Sequence, residues 1–171
     1  MPYYDIVFEE CKVDDRLSNM LGFKVGTIPQ NIRFIDLDKQ GLSGEKKAIV
    51  SGPSGKLISA ANSGVSAVCM QNPDIDKDLI AAMADNGTVL CIPLSDMMGL
   101  YGLRRSRHIF KTAKLFAYAR KNDVEISFVT LARSRSMMCS YMQLLELAKL
   151  VGASEEYARK SMKEVNKGLI E

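Results

Sequence analysis

Asp76-Lys77-Asp78-Leu79-Ile80-Ala81-Ala82-Met83-Ala84-Asp85-Asn86-Gly87-Thr88-Val89-Leu90-Cys91-Ile92-Pro93 is the stretch in which the chain changes period most sharply. Asp76 to Asp85 reads as a helix. Its opening aspartates suit free amides and the positive end of the dipole, and Asn86-Gly87 supplies the left-handed stop. Val89 to Pro93 is then a continuous apolar run too short for a helix, which fits a strand buried on both faces. Such strands belong to parallel sheets covered by crossover helices, so this one junction predicts an α/β fold.

The pattern repeats outward in both directions. Strands are expected at Tyr3 to Phe8, Phe23 to Thr27, Ile32 to Leu37, Ala48 to Ser51, Ser66 to Met70, Val89 to Pro93 and Glu125 to Thr130. Helices are expected at Asp14 to Leu21, stopped by Gly22, at Leu103 to Lys121, at Met137 to Val151, stopped by Gly152, and from an N-cap at Ser154 through about Val165. Glycines and Pro53 interrupt any period between Asp38 and Gly64 and leave the boundaries there open. Seven strand candidates favour a TIM-barrel-like β/α barrel, irregular or incomplete because 171 residues is short for eight units. An open doubly wound sheet is the alternative. The length suits a single domain over residues 1 to 171.

Apolar residues at 47% and charged residues at 25% describe a chain that folds around a core, and a net charge of +3 is too mild to specify a polyanionic partner by itself. Cys11, Cys69, Cys91 and Cys139 lack metal-like spacing and read as buried thiols of a reducing compartment, so a cytoplasmic location is expected. Neither a basic leader nor a span-length apolar stretch is present, so no membrane association is expected.

His108 is the single histidine of the chain. A divalent metal site of the histidine-rich kind needs several such ligands, and His108 lies among Arg104, Arg105, Arg107 and Lys111, which repel a cation. A metal site is therefore not expected. No catalytic site is expected in the chain either, and the alternative is a small barrel enzyme acting on a phosphorylated substrate, which would use the Ser51 to Lys56 turn and the Arg133 to Arg135 loop. Ser51-Gly52-Pro53-Ser54-Gly55-Lys56 resembles a phosphate loop only superficially. Its glycines are too close, and Leu57 stands where the hydroxyl belongs. Asp74, Asp76 and Asp78 read as helix-start residues, whereas Ser95-Asp96, just past a strand, could face the mouth of a barrel.

The informative segment is Leu103 to Lys121. At 100° per residue, Arg104, Arg107, His108, Lys111, Lys114, Tyr118 and Lys121 fall on one arc, with Ile109, Phe110, Ala113, Phe116 and Ala117 opposite. The first arc is expected to face outward and the second to face the core. The basic arc contains no acid, so it lacks the i,i+4 partners of an ordinary solvated helix. Arg133 and Arg135 follow the last strand, also without an adjacent acid. Such cations suit phosphate oxygens, and Tyr101 or Tyr118 could stack on an unpaired base.

The order of these features resembles the ribonuclease P protein component 3 family of archaeal and eukaryotic enzymes. The resemblance lies in Leu79 to Val89, in Ile92-Pro93-Leu94-Ser95-Asp96-Met97-Met98, in the helix with Arg104 and Arg107, and in Leu115-Phe116-Ala117-Tyr118-Ala119-Arg120-Lys121. It continues through Leu144 to Gly152, Ala158 and Leu169-Ile170, and includes Tyr4-Asp5 and Met20-Leu21-Gly22-Phe23. The chain departs from the family where residues 38 to 64 are compressed, at Ile92-Pro93 in place of a glutamate-isoleucine pair, and at Leu131-Ala132-Arg133 in place of small residues.

The resemblance implies a barrel related to the polymerase and histidinol phosphatase (PHP) metallohydrolases but without their metal-binding histidines. It implies a non-catalytic subunit of an endoribonuclease that removes the 5′ leader of precursor tRNA, catalysis belonging to ribonuclease P RNA with magnesium. The implied partners are that RNA, precursor tRNA, the ferredoxin-like component 2 and other ribonuclease P proteins. Arg104, Arg107, Arg133 and Arg135 match regions where the family is basic and carry an expected RNA contact. Lys111 and Lys114 join them from the helical-face argument, and Arg105 as the neighbour of Arg104.

Overall fold

The computed structural model describes residues 3–7, 13–22, 24–27, 33–39, 41 and 48–170. Along them run β1 (Tyr4–Val7), α1 (Asp15–Leu21), β2 (Lys24–Thr27), β3 (Arg33–Asp36), β4 (Ala48–Gly52), α2 (Ser54–Asn62), β5 (Ala67–Met70), α3 (Lys77–Asn86) and β6 (Val89–Pro93). A 3₁₀ turn (Leu94–Met97) leads into α4 (Gly102–Lys121), β7 (Ile126–Val129), a second 3₁₀ turn (Arg135–Met137), α5 (Tyr141–Leu150) and α6 (Glu155–Lys160). A π-type turn (Ser161–Val165) and α7 (Asn166–Ile170) close the chain.

β3 to β7 form one parallel sheet in sequential order, and β1 pairs with β2 in a second parallel sheet. The α/β alternation predicted from the sequence is present, and every expected strand has its counterpart. β4, β5 and β7 are buried along their whole length, and β6 along all but Pro93. The pleat divides them. Val50, Val68, Leu90, Ile92, Ile126 and Phe128 point into the helix-covered cluster, while Ile49, Ala67, Cys69, Val89, Cys91 and Val129 point into a second cluster with Ile6, Val165 and Leu169.

The helix ends follow the sequence signals. Asp14 accepts the Leu17 N–H at 2.7 Å, and Gly22 closes α1 at φ 82°. Asp76 accepts from the Asp78 and Leu79 amides, and Gly87 closes α3 at φ 64°. Other elements differ from expectation. α5 begins at Tyr141 rather than Met137, because Ser140 and Gln143 form a reciprocal capping box. α2 occupies part of the stretch whose boundaries were open, and the final helix is broken by its π-type turn. Cys69, Cys91 and Cys139 are buried free thiols, and burial raises Cys91 to about 12 and Cys139 to about 11. Cys11, the outer ends of the first three expected strands, and residues 40 and 42–47 lie outside the described residues. Among the described residues no helix is long and apolar enough to cross a membrane.

The outer edge of β7 is satisfied mainly by side chains. Phe128 donates its N–H to Ser161 Oγ at 2.9 Å, and its carbonyl accepts from Asn166 Nδ2 at 2.8 Å. Beyond it Thr130 donates its N–H and hydroxyl to the buried Asp5 carboxylate at 2.8 and 2.6 Å. Leu131 N–H then reaches the Ile6 carbonyl at 2.9 Å. An unpaired strand edge buried without such partners would lose about 1 to 3 kcal/mol per group, so this C-terminal segment and β1 cover the outer edge of β7.

Candidate nucleic-acid interface

α4 is fixed to the sheet by Thr112, Leu115, Phe116 and Ala119, a buried stripe at i, i+3, i+4 and i+7. The Phe116 ring lies 5.7 Å from Phe128 on β7 and 5.6 Å from Tyr157 on α6. Thr112 occupies the stripe without a penalty because its hydroxyl donates to the His108 carbonyl at 2.9 Å. This phase differs from the sequence expectation. Phe110 is two residues, about 160° around the helix, from Thr112 and faces outward, as does Ala117.

The outward face is consequently mixed. Leu103 is 65% exposed and Phe110 59%, and the cations Arg104, Arg107, Lys111, Lys114 and Lys121 lie exposed along one flank. Lys114 Nζ sits 4.4 Å from the centre of the Phe110 ring. Pro73 and Ile75, from the loop before α3, form the other wall of a groove of about 420 Å³ that takes in Arg107, Phe110, Lys111 and Lys114. Arg105 does not belong to this face. Seven residues before Thr112, it shares the inward side and is half-buried. Tyr118 also turns inward onto the core, whereas Tyr101, just before the helix, is 81% exposed.

The expectation of cations without acidic neighbours fails at two positions. Lys111 Nζ pairs with Asp74 at 2.9 Å, and Arg135 Nη2 lies 3.8 Å from Asp14. Both acids come from distant segments. All four side chains are well exposed, so each pair is worth about 0 to 1 kcal/mol and yields readily to a phosphate.

His108 also departs from expectation. It lies at the edge of the basic face and turns into a pocket of about 560 Å³ at the C-terminal end of the sheet. Asp96 and Met98 line this pocket from the segment after β6, Gln71 from the end of β5, and Ser136 and Met137 from the segment after β7. The Asp96 side chain is exposed, but partial desolvation by the pocket raises its carboxyl above its ordinary range, opposed by the charges of His108 and Arg133. Burial lowers His108, opposed by Asp96 and assisted by Lys111. Among the described residues nothing donates a hydrogen bond to the Asp96 carboxylate. Ser95 is committed elsewhere, donating its hydroxyl to the Thr130 carbonyl at 2.5 Å.

The remaining candidates have structural duties. Asp36 is held below the usual carboxylate range by hydrogen bonding to Lys39, helped by the Asp38 amide, and Arg133 also acts on it. Lys56 donates to the Leu37 carbonyl at 2.6 Å and lies 3.6 Å from Asp38. A Cβ on Gly52 would come within 3.0 Å of Leu37 Cβ, so that glycine permits a close chain approach rather than a phosphate contact. Among the described residues no three His, Cys, Asp or Glu side chains converge as metal ligands would. Exposed Phe110 and Leu103 were missed by sequence reasoning. Their seven-residue spacing, continued by Ala117 beside Arg107, Lys114 and Lys121, was the signal available.

No known family model and no curated protein matches the chain in sequence.

Proposed function

We propose that this protein is an RNA-contacting subunit of a ribonuclease P-type ribonucleoprotein, with α4 as its principal contact. The observation that carries the reading is an exposed Phe110 set among Arg107, Lys111 and Lys114. Single-stranded RNA uses cations for phosphates and an aromatic platform for a base, and this face offers both within one groove. The co-linear resemblance directs the choice of ribonucleoprotein. In this reading cleavage belongs to the RNA with its magnesium, and component 2 is the protein partner.

The same reading takes the fold as an irregular barrel in the order β2, β1, β7, β6, β5, β4, β3, rather than as an open doubly wound sheet. Two observations support closure: the Leu131 to Ile6 hydrogen bond beside β7, and the action of Arg133, after β7, on Asp36 at the far strand β3. The competing reading, a small enzyme for a phosphorylated substrate, rested on the Ser51 to Lys56 turn and the Arg133 to Arg135 segment. The groove beside that turn is lined by Gly52 to Ser54, Met70 to Asn72 and Asp74 to Asp76 and takes nothing from either arginine.

The test is reconstitution with ribonuclease P RNA and component 2. Precursor tRNA processing at limiting magnesium should rise when this chain is added, and an unchanged rate would overturn the assignment.

A further inference from the structure

The pocket containing Asp96 raises a problem that the RNA reading does not itself solve. A carboxylate on a phosphate-binding surface is repulsive, and although the Asp96 side chain is exposed, the surrounding pocket partly desolvates it. Its presence is explained by a ligand that brings donors. On RNA the concentrated donors are base edges, and only the Watson–Crick edge of guanine offers two adjacent N–H groups matched to the two oxygens of a carboxylate.

We propose that the pocket at the C-terminal end of the sheet takes one unpaired guanine of the bound RNA, its N1–H and N2–H donating to Asp96. This rests on the RNA-contact reading. The cavity of about 560 Å³ lies in the range of sites that enclose small ligands and has room for one base. Met98 and Met137 offer polarizable walls, and His108 offers a ring face. Ser136, within hydrogen-bond distance of Ser134 at 3.0 Å, and Gln71 supply further polar atoms. The backbone path is set by Arg104, one turn before His108 on the same side of α4, and by Arg135 beside Ser136 on the opposite wall. Arg104 and Arg135 are therefore phosphate contacts, and Asp96 is the residue that reads the base.

The test uses the full chain and three short oligoadenylate RNAs: one unmodified, one with a single central guanosine, and one with inosine at that place, which lacks the exocyclic amine. Fluorescence anisotropy at fixed salt should show the guanosine oligomer binding about ten-fold more tightly than the unmodified one, with inosine between. Asp96→Asn should abolish that preference, and a circular dichroism spectrum and thermal midpoint matching those of the native chain report that the variant is folded. Equal binding of the three oligomers by the native chain, or a guanosine preference that survives Asp96→Asn, would overturn the proposal alone. Absence of salt-dependent binding to any of them would overturn the RNA-contact reading beneath it.

Discussion

Asp5→Asn should stabilise the protein at neutral pH, and the gain should appear over a defined window. Asp5 is fully buried and accepts hydrogen bonds from the Ile6 and Thr130 amides and the Thr130 hydroxyl. Burial nevertheless dominates and raises its carboxyl to about 6. An unfolded aspartate titrates near ~3.9. The folded state therefore holds the proton more tightly. Below about pH 4 both states are protonated and the group's full contribution is present; as pH rises toward 6 the unfolded chain ionises first, and folding loses stability. At about 1.4 kcal/mol per pH unit, a difference of roughly two units amounts to about 3 kcal/mol, complete above pH 6. An asparagine keeps an acceptor for the two amides and presents an NH₂ to Thr130 without a charge to bury. Urea unfolding of both proteins between pH 4 and 7.5 gives the difference in stability free of other titrations. The asparagine variant should be nearly matched at pH 4 and about 3 kcal/mol ahead at pH 7. A difference independent of pH, or a variant that falls behind as pH rises, would refute the dominance of burial over the three hydrogen bonds.

Three other outcomes follow from the geometry. Phe110→Ala should weaken binding of single-stranded RNA by about 1 to 3 kcal/mol in equilibrium titrations while leaving the salt slope unchanged, since a stacking platform neutralises no phosphate. Replacing Arg104 and Arg107 together by alanine should instead lower the magnitude of the logarithmic salt slope by about 1.4, two contacts at the single-strand value, with little change in the thermal midpoint because both side chains are exposed. Asn166→Ala should cost about 2 to 3 kcal/mol in chemical denaturation, because it strands both the Phe128 carbonyl and the Ser127 hydroxyl, which donates to Asn166 Oδ1 at 2.7 Å.

β4 to β7 were legible because each is a short apolar run buried on both faces, and α1 and α3 were legible because their first and last residues satisfy backbone groups locally. The capping box of α5 was also written in the sequence, as Ser140 with Gln143, but the apolar Met137 and Met138 drew the expected start upstream. The phase of α4 was not legible in the same way. Its apolar residues occupy more than one arc, and only the fit of Phe116 against Phe128 and Tyr157 decides which arc is buried. Asp74 and Asp14 were invisible as partners for Lys111 and Arg135 because the contacts join distant segments.

The residues that break local rules are concentrated where β7 ends. Leu131 has a φ of 46°, a left-handed conformation costly for a branched apolar side chain, immediately after the Thr130 that donates to Asp5. Ser95 ties the segment after β6 to the same residue through the Thr130 carbonyl. A buried charge and a strained turn are thus placed side by side at the point that sends Arg133 toward Asp96 and brings Ser136 into the pocket wall. An isosteric asparagine would relieve the first, while the second places the Leu131 side chain in the cluster with Ile6 and Val129. Rule-breaking of this kind is expected where a chain is shaped for a ligand rather than for stability. Its position argues that the end of the sheet and the outward face of α4 form one surface, with Arg104 and His108 on adjacent turns as the connection.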